Sequence, residues 1–547
     1  MMRKKNLQMA VVGAVFLILH TAAVYAAGVL PSSSGSVREL EQNRLAGSEQ
    51  ARLEQQQVQT QAIQGMRRFY LEKFNFTSSD LIDKTALQEL LHGYIGREIN
   101  FNEVREAVNK VTQYYRKQGY TVATAFLPQQ EIHNNEIEIH ILLGKMGQLY
   151  INNHSRLNMS QAAKFLSVIQ SGRMIKNNEL ETALNNLNDL PGVSAVGLLS
   201  AGQEVGSSDF TVTLADEKMV DTIVYTDNYG GKYSGRYRYG LQTTVNNISG
   251  SGDKLFAGGM LSNENLHNYN FGYEMALGSH GSRLGISYSQ MDYTLGDYFA
   301  ALDAVGQAKT LSIYGSTPLQ NTATRHLSII YGFDNRRLKD EIRAFSTFFD
   351  TTTEKDSNSL HLGLVGNIRE QGTYTGYSAL YYAGNLSYDD KTNPLTEGCF
   401  QKFTADINHL RRLGNVTSLQ LNFHSQLASR DLDSSEQFSL GGANAVRAYP
   451  QGEASGDSGY QATAELRYTT PVPNLTLATF IDCGEVTLSK SYGQHRNLAG
   501  WGLGVQYAKT NDYLLRLDYA RKISGEAFQS EDTDKNGRLW FLAYKLF

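Results

Sequence analysis

Val416-Thr-Ser-Leu-Gln-Leu-Asn-Phe-His-Ser-Gln-Leu427 places Leu419, Leu421, Phe423 and Leu427 on one face and Ser418, Gln420, Asn422, His424 and Gln426 on the other. A period of two is that of an extended strand with one apolar and one polar side. The same alternation recurs in 461–468, where Ala462, Ala464, Leu466 and Tyr468 oppose Gln461, Thr463, Glu465 and Arg467. In 500–507 Trp501, Leu503, Val505 and Tyr507 oppose Gly500, Gly502, Gly504 and Gln506, and in 514–520 Leu515, Leu517 and Tyr519 oppose Arg516 and Asp518. From about Val220 onward the helical period is absent. Segments of about ten residues, apolar on one face and with tyrosines near their ends, predict an antiparallel transmembrane β-barrel with a polar lumen. A soluble sandwich alternates too, but roughly 330 residues is too much chain for one sandwich. Sixteen or seventeen strands can be counted, the doubtful one being 343–351 beside the hairpin-like Phe333–Ile342. Single-chain bacterial barrels have even strand numbers, which selects sixteen. Trp540–Phe547 reads as the closing strand, ending on the phenylalanine common in outer-membrane barrels. Lys545 stands where an aromatic residue is expected and is assigned a snorkelling position.

The 547 residues are poor in Pro (8) and Cys (2) and rich in Gly (50) and Tyr (32). A net charge of −4 gives no basic footprint for nucleic acid. Cys399 and Cys483 are too few for a disulfide framework and read as buried or lipid-facing thiols. Residues 1–27 read as a signal peptide: Arg3, Lys4 and Lys5 precede an apolar run from Met9 to Leu19, with Val24-Tyr25-Ala26 at the cleavage site. Residues 28–66 read as a small-residue linker followed by a helix from Val37 that carries eight glutamines between Gln42 and Gln64. So polar a helix belongs in water or in a polar cavity.

Two small α/β domains follow, 67–145 and 146–216. In the first, Phe69–Phe76 reads as a strand, Leu81–Leu91 as a helix, and Val104, Val108, Val111 and Tyr115 as one helical face. Val122–Leu127 and the alternating Ile137, Ile139 and Ile141 are further strands. The second repeats this order: strand Leu149–Asn152, helix Gln161–Ile169, the helical face Leu180, Leu184 and Leu187 ended by Pro191-Gly192, then strands Val193–Ser200 and Phe210–Leu214. The period of the repeat is about 75 residues. The barrel is assigned to 217–547.

No constellation for catalysis emerges, and the chain is read as a non-enzyme without cofactor or metal. Gly456-Asp457-Ser458-Gly459 is similar to a protease nucleophile segment but has no evident His/Asp partners. Gly500-Trp-Gly-Leu-Gly504 is followed by no helix, and His133 and His140 lack further metal ligands. The conspicuous segment is instead a long loop at about 429–458 containing Gly441-Gly442-Ala-Asn-Ala-Val446-Arg447-Ala448-Tyr449-Pro450, in which Arg447 is an isolated charge. A loop of this length in a compact β-domain is usually functional or disordered. Two strands later, parity turns Phe480, Asp482 and Gly484 inward and Leu475, Leu477, Ile481 and Cys483 outward. Asp482 has two candidate partners: Arg447, if the loop folds into the lumen, or Arg467 across the strands.

These parts, in this order, resemble the two-partner secretion outer-membrane transporters, the haemolysin activation/secretion branch of the superfamily that also holds the barrel-assembly insertases. Leu187-Asn-Asp-Leu-Pro-Gly-Val193 resembles the second polypeptide-transport-associated (POTRA) domain, Val446-Arg-Ala-Tyr449 the Val-Arg-Gly-Tyr tip of loop 6, and Phe480-x-Asp482-x-Gly484 the lumen-facing strand motif. Ala448 departs from the family's glycine, and a positive φ there would strain alanine. The resemblance implies a Gram-negative outer-membrane barrel with two periplasmic POTRA domains, loop 6 in the lumen, Arg447 paired to Asp482, and the N-terminal helix plugging the pore. It further implies a monomer, embedded in outer-membrane lipid and inserted by the barrel-assembly machinery. Its partner would be a large secreted exoprotein with an N-terminal secretion domain, bound by the POTRA domains and threaded outward without ATP. An insertase or a passive pore or surface-binding barrel is the alternative.

Overall fold

The computed structural model describes residues 68–77, 83–346, 351–389, 395–524, 527–531 and 536–547. The expected signal peptide and polar helix lie outside them. In the first α/β domain the Phe69–Phe76 segment is two strands, β1 (Phe69–Leu71) and β2 (Lys73–Thr77). The break falls at Glu72, whose N–H turns to the carbonyl of Asn135. Helix α1 (Lys84–Leu91) starts later than the pattern suggests because Asp83 caps it, accepting from the N–H groups of Thr85 and Ala86. Strand β3 (Arg97–Ile99) pairs with β1. Helix α2 (Phe101–Lys117) opens on a reciprocal capping box between Asn100 and Glu103 and buries Val104, Ala107, Val108, Val111 and Tyr115. Strands β4 (Thr124–Phe126) and β5 (Glu136–Leu142) complete a sheet in the order β2-β5-β4, with β2 parallel to β5.

The second domain has the same plan. Strand β6 (Lys145–His154) is followed by α3 (Met159–Phe165), α4 (Asn177–Asn188), β7 (Val193–Ala201) and β8 (Ser207–Asp216), in sheet order β6-β8-β7 with β6 parallel to β8. Leu187 and Val212 are fully enclosed at its centre.

The remaining strands form a closed sixteen-stranded antiparallel barrel. They are β9 (Val220–Asp227), β10 (Arg238–Asn246), β11 (Lys254–Ser262), β12 (Leu266–Leu277), β13 (Ser282–Thr294), β14 (Ala304–Asn321), β15 (Arg325–Ile342), β16 (Thr352–Glu370), β17 (Thr373–Tyr388), β18 (Gly398–Arg412), β19 (Thr417–Ala428), and, after a long loop, β22 (Ser458–Thr469), β23 (Leu475–Ser489), β24 (Gln494–Lys509), β25 (Tyr513–Ser524) and β26 (Gly537–Leu546). The loop holds two short strands, β20 (Phe438–Ser439) and β21 (Ser455–Gly456), paired to each other. Arg343–Phe345 forms a helical turn rather than a strand, which leaves the count even. Several strands exceed the expected ten residues; β16 has 19. The excess lies beyond the apolar belt, where outward-facing Asn335, Arg337 and Lys339 bond Asn358, Asp356 and Glu354 across the strands. Both cysteines are exposed on the outer face of the barrel. The Lys545 ammonium bonds Asp512 in the adjoining turn.

The second α/β domain is bonded to the barrel. The N–H of Asn158 reaches the carbonyl of Gly250 at 2.8 Å, the Arg283 guanidinium reaches the carbonyl of Asp189 at 2.9 Å, and Asn321 donates to Asn186 at 2.9 Å and Asp189 at 2.6 Å. The barrel's contributions come from the β10–β11 turn, the start of β13 and the end of β14. Replacing Leu187 by Ala is expected to cost the second α/β domain about 2–5 kcal/mol through lost burial and a residual cavity. Protease sensitivity of this domain should rise while the heat-modifiable gel mobility of the barrel stays unchanged.

Candidate functional site

The loop between β19 and β22 turns back into the lumen. Gly442 adopts φ +134, a conformation that side chains resist, and bends the chain just after the bridge between Gly441 and Val446. The tip is enclosed: Val446, Ala448 and Tyr449 have no exposed surface, and Tyr449 meets the edge of the Phe528 ring.

Arg447 is brought to Asp482. Its Nε and Nη2 each donate to one carboxylate oxygen at 2.8 Å, and its own backbone N–H adds a third bond at 3.2 Å. Such a fork-on-carboxylate pairing is directional as well as strong. Nη1 is shared between Glu465 at 3.0 Å and Asp518 at 3.3 Å. The guanidinium carbon lies 3.2 Å from the centre of the Phe480 ring, and Trp540 donates its indole N–H to the Arg447 carbonyl at 2.7 Å. Thr463 donates to the Asp482 Oδ1 at 2.8 Å. The competing partner, Arg467, goes to Glu465 at 2.7 Å instead. Arg516 bonds Glu465 and Asp518, each at 2.8 Å. Three arginines thus face three carboxylates, so the desolvation of each charge is offset by opposite charges and hydrogen bonds.

Three glycines make the space. A Cβ on Gly500 would sit 2.5 Å from the Ala448 Cβ; one on Gly502 would strike the Phe480 ring at 2.3 Å, and one on Gly504 would strike Asp518 at 2.5 Å. The glycine stripe of β24 is therefore the floor on which the loop tip and its partners rest. Ala448 is not among the residues with positive φ, so the strain anticipated for alanine at this position does not arise. What constrains this residue is size, through Gly500. Gly484 serves the same purpose for Leu440, at 2.5 Å from a built Cβ.

The loop's base is moored by its carboxylates. Glu436 accepts from Lys402 and Arg336 at 2.8 and 2.7 Å, Asp433 from Lys355 at 2.8 Å, and the fully buried Glu453 from Arg496 at 2.6 Å. Asp457 receives the backbone N–H groups of Leu432 and Lys490, each at 2.8 Å. Burial, reinforced by Asp431 nearby, pushes its carboxyl up to about 6. The fold thus favours the protonated form; that contribution is present below the ordinary carboxylate range and is lost as pH rises through about 6. The Gly-Asp-Ser-Gly sequence at 456–459 is the corner at which β21 passes into β22.

A polar-lumened sixteen-stranded barrel with a moored inner loop, preceded by two small α/β domains, is the architecture of an outer-membrane transporter. The family model for haemolysin secretion/activation proteins ShlB/FhaC/HecB matches residues 206–507, more than half of the chain, and that for the ShlB-type POTRA domain matches 69–144. The chain belongs to this family of two-partner secretion transporters of the outer membrane, whose POTRA domains sit in the periplasm and whose partners are secreted exoproteins. It is 28% identical over 546 residues to the heme/hemopexin transporter protein HuxB of Haemophilus influenzae, covering 92% of this chain and 94% of that one. It is 23% identical to the outer membrane transporter CdiB of Dickeya dadantii, covering 86% and 87%. The CdiB structure from Escherichia coli superposes with a TM-score of 0.70 at 17% identity, covering 94% of this chain and all of that one. The structure of BamA from Haemophilus ducreyi lacking POTRA domains 1–3 superposes with a TM-score of 0.53 at 14% identity, covering 88% of this chain and all of that one.

Strand parity puts Glu465, Arg516 and Asp518 on the lumen side but does not join them to the site, and it assigns Trp540 to the closing strand without a partner. The signal available in the sequence is that three carboxylates and two arginines share lumen-facing parity on β22, β23 and β25. Arg447→Met should leave three carboxylates facing two arginines and cost about 3–5 kcal/mol. Exchanging the pair, Arg447→Asp with Asp482→Arg, should not restore stability, because the new carboxylate at the loop tip would then sit beside Glu465 and Asp518. Both are read from the urea midpoint at which heat-modifiable mobility is lost.

Proposed function

We propose that this transporter exports one large exoprotein, recognising its N-terminal secretion domain on the POTRA domains and passing it unfolded through the lumen to fold outside. The observation that carries this reading is the joining of a polar-lumened barrel, with loop 6 moored inside it, to a POTRA 2 bonded directly to the barrel's periplasmic end. Recognition would use an exposed edge of a POTRA sheet or a helix–strand groove. Folding of the cargo outside supplies the bias, with no nucleotide hydrolysis. Arg447 and Asp482 hold loop 6, with Val446, Ala448, Tyr449, Phe480, Gly484, Gly441 and Gly442 shaping its seat. Residues 1–27 direct export, and the polar helix within 28–66 closes the lumen at rest. The chain acts as a monomer, placed in the membrane by the barrel-assembly machinery, and catalyses no reaction. A haem- or haemopexin-handling exoprotein is the first cargo to try, since HuxB is named a heme/hemopexin transporter protein.

One observation favours a second reading, a barrel-assembly insertase. The ladder at the seam between β26 and β9 joins Leu542–Leu546 to Ile223–Asp227, whereas the ladder between β25 and β26 is longer, running from Tyr513 to Arg521. An insertase would open at the shorter seam.

Surface display of the exoprotein should require this chain; equal display with and without it would remove the export reading and leave a passive pore. Deleting 37–64 should raise single-channel conductance, and unchanged conductance would remove the plug. A disulfide between Thr226→Cys and Ala543→Cys, which are partners across the seam, should leave export intact. Loss of export on oxidation, recovered on reduction, would favour lateral opening.

A further inference from the structure

The lumen has two unlike halves. Loop 6 bonds to strands on one side, from Arg336 on β15 and Lys402 on β18 to Arg496 on β24 and Trp540 on β26. The inner face of β10–β14 is different. At mid-height Gln242, Gly258, Asn270, Ser289 and Thr310 stand side by side, with Ser287 on β13 just below. Among the described residues, formal charge on this wall is confined to its ends. At the periplasmic end Glu274 holds Lys254 at 3.2 Å and Arg283 at 2.6 Å, and Arg283 reaches POTRA 2. At the upper rim the inward side chains Met260, Met291 and Ala308 join Leu295 and Phe299 of the β13–β14 loop in one apolar cluster. Tyr233 of the β9–β10 loop closes over it, its ring 4.7 Å from that of Phe299.

We propose that the exported chain travels in extended form along the inner wall of β10–β14, from POTRA 2 below to the apolar cap of the first and third outer loops above. This rests on the export reading. An unfolded polypeptide presents a backbone donor and acceptor at nearly every residue and side chains of either charge. A wall of short hydroxyls, amides and glycines offers each of them weak, exchangeable partners, and the nearest fixed charges at this height, Arg336 and Asp334 on β15, are already held by Glu436 and by Ser312 and His361. Passage needs sites favourable enough to enter and weak enough to leave. POTRA 2 contacts the β10–β11 turn and the periplasmic ends of β13 and β14, so a segment released from it meets this sector first. The half filled by loop 6 keeps its ion pairs throughout.

The test uses the full-length transporter in outer membranes, with Cys399 and Cys483 replaced by serine. The probe is the exoprotein whose display depends on this chain, carrying single cysteines and stalled by a fast-folding domain at its C-terminus. Disulfides should form with Ser289→Cys and Thr310→Cys and not with Asn422→Cys, which faces the lumen from β19. Ser289→Trp with Thr310→Trp should abolish display while the barrel keeps its heat-modifiable mobility; Asn422→Trp should leave display intact. Crosslinks at Asn422 equal to those at Ser289, or undiminished display in a folded barrel carrying both tryptophans, would overturn this path while leaving export itself standing. Display that never depends on the transporter would overturn the export reading and the path with it.

Discussion

A guanidinium buried to 5% exposure inside a membrane barrel is tolerable only if its charge is met on every side. Arg447 meets that demand with Asp482 on two parallel bonds, Glu465 and Asp518 on its remaining nitrogen, and the face of Phe480. Its partners come from β22, β23 and β25, and Trp540 on β26 holds its carbonyl. One loop residue therefore ties together strands that the hydrogen-bond ladder joins only pairwise. Removing it would leave acidic groups that water cannot easily reach.

The rest of the loop follows from that anchorage. The tip can approach the wall because β24 carries glycine where the loop lands, and the base is clasped by cations of β15, β16, β18 and β24. The loop thus occupies the side of the lumen formed by β15–β26 and leaves the mid-height wall of β10–β14 lined by small uncharged groups, with formal charge only at its ends. The asymmetry of the pore is a consequence of where one set of charges could be satisfied.

Strand parity makes the barrel legible in 416–427, 461–468, 500–507 and 514–520, because a lipid-facing side must be apolar and a lumen side need not be. It also turns Asp482 inward. It leaves Arg467 and Arg447 as equal partners for that aspartate, since register along a strand does not reveal where the excursion from Ser429 to Asp457 returns. The glycines at 500, 502 and 504 are visible in the sequence as a face without a purpose; the purpose is set by Ala448, Phe480 and Asp518, all on other segments of the chain. Strand length is underestimated where pairing continues above the bilayer, because Phe333–Ile342 reads as hairpin-like when its Arg337 and Lys339 are the outer face of a water-exposed ladder. Ala448 looks ill-suited because the family's glycine suggests a positive φ, which this backbone does not have.

The most direct check on a lumen-moored loop 6 is proximity of its tip to the glycine floor. With the native cysteines replaced by serine, Ala448→Cys and Gly500→Cys should oxidise to a disulfide in intact outer membranes, since their β-carbons lie within bridging reach after a shift of about 1 Å. A crosslink resistant to a membrane-impermeant maleimide added from outside is the predicted result. Two free thiols, both labelled from the cell surface, would contradict it.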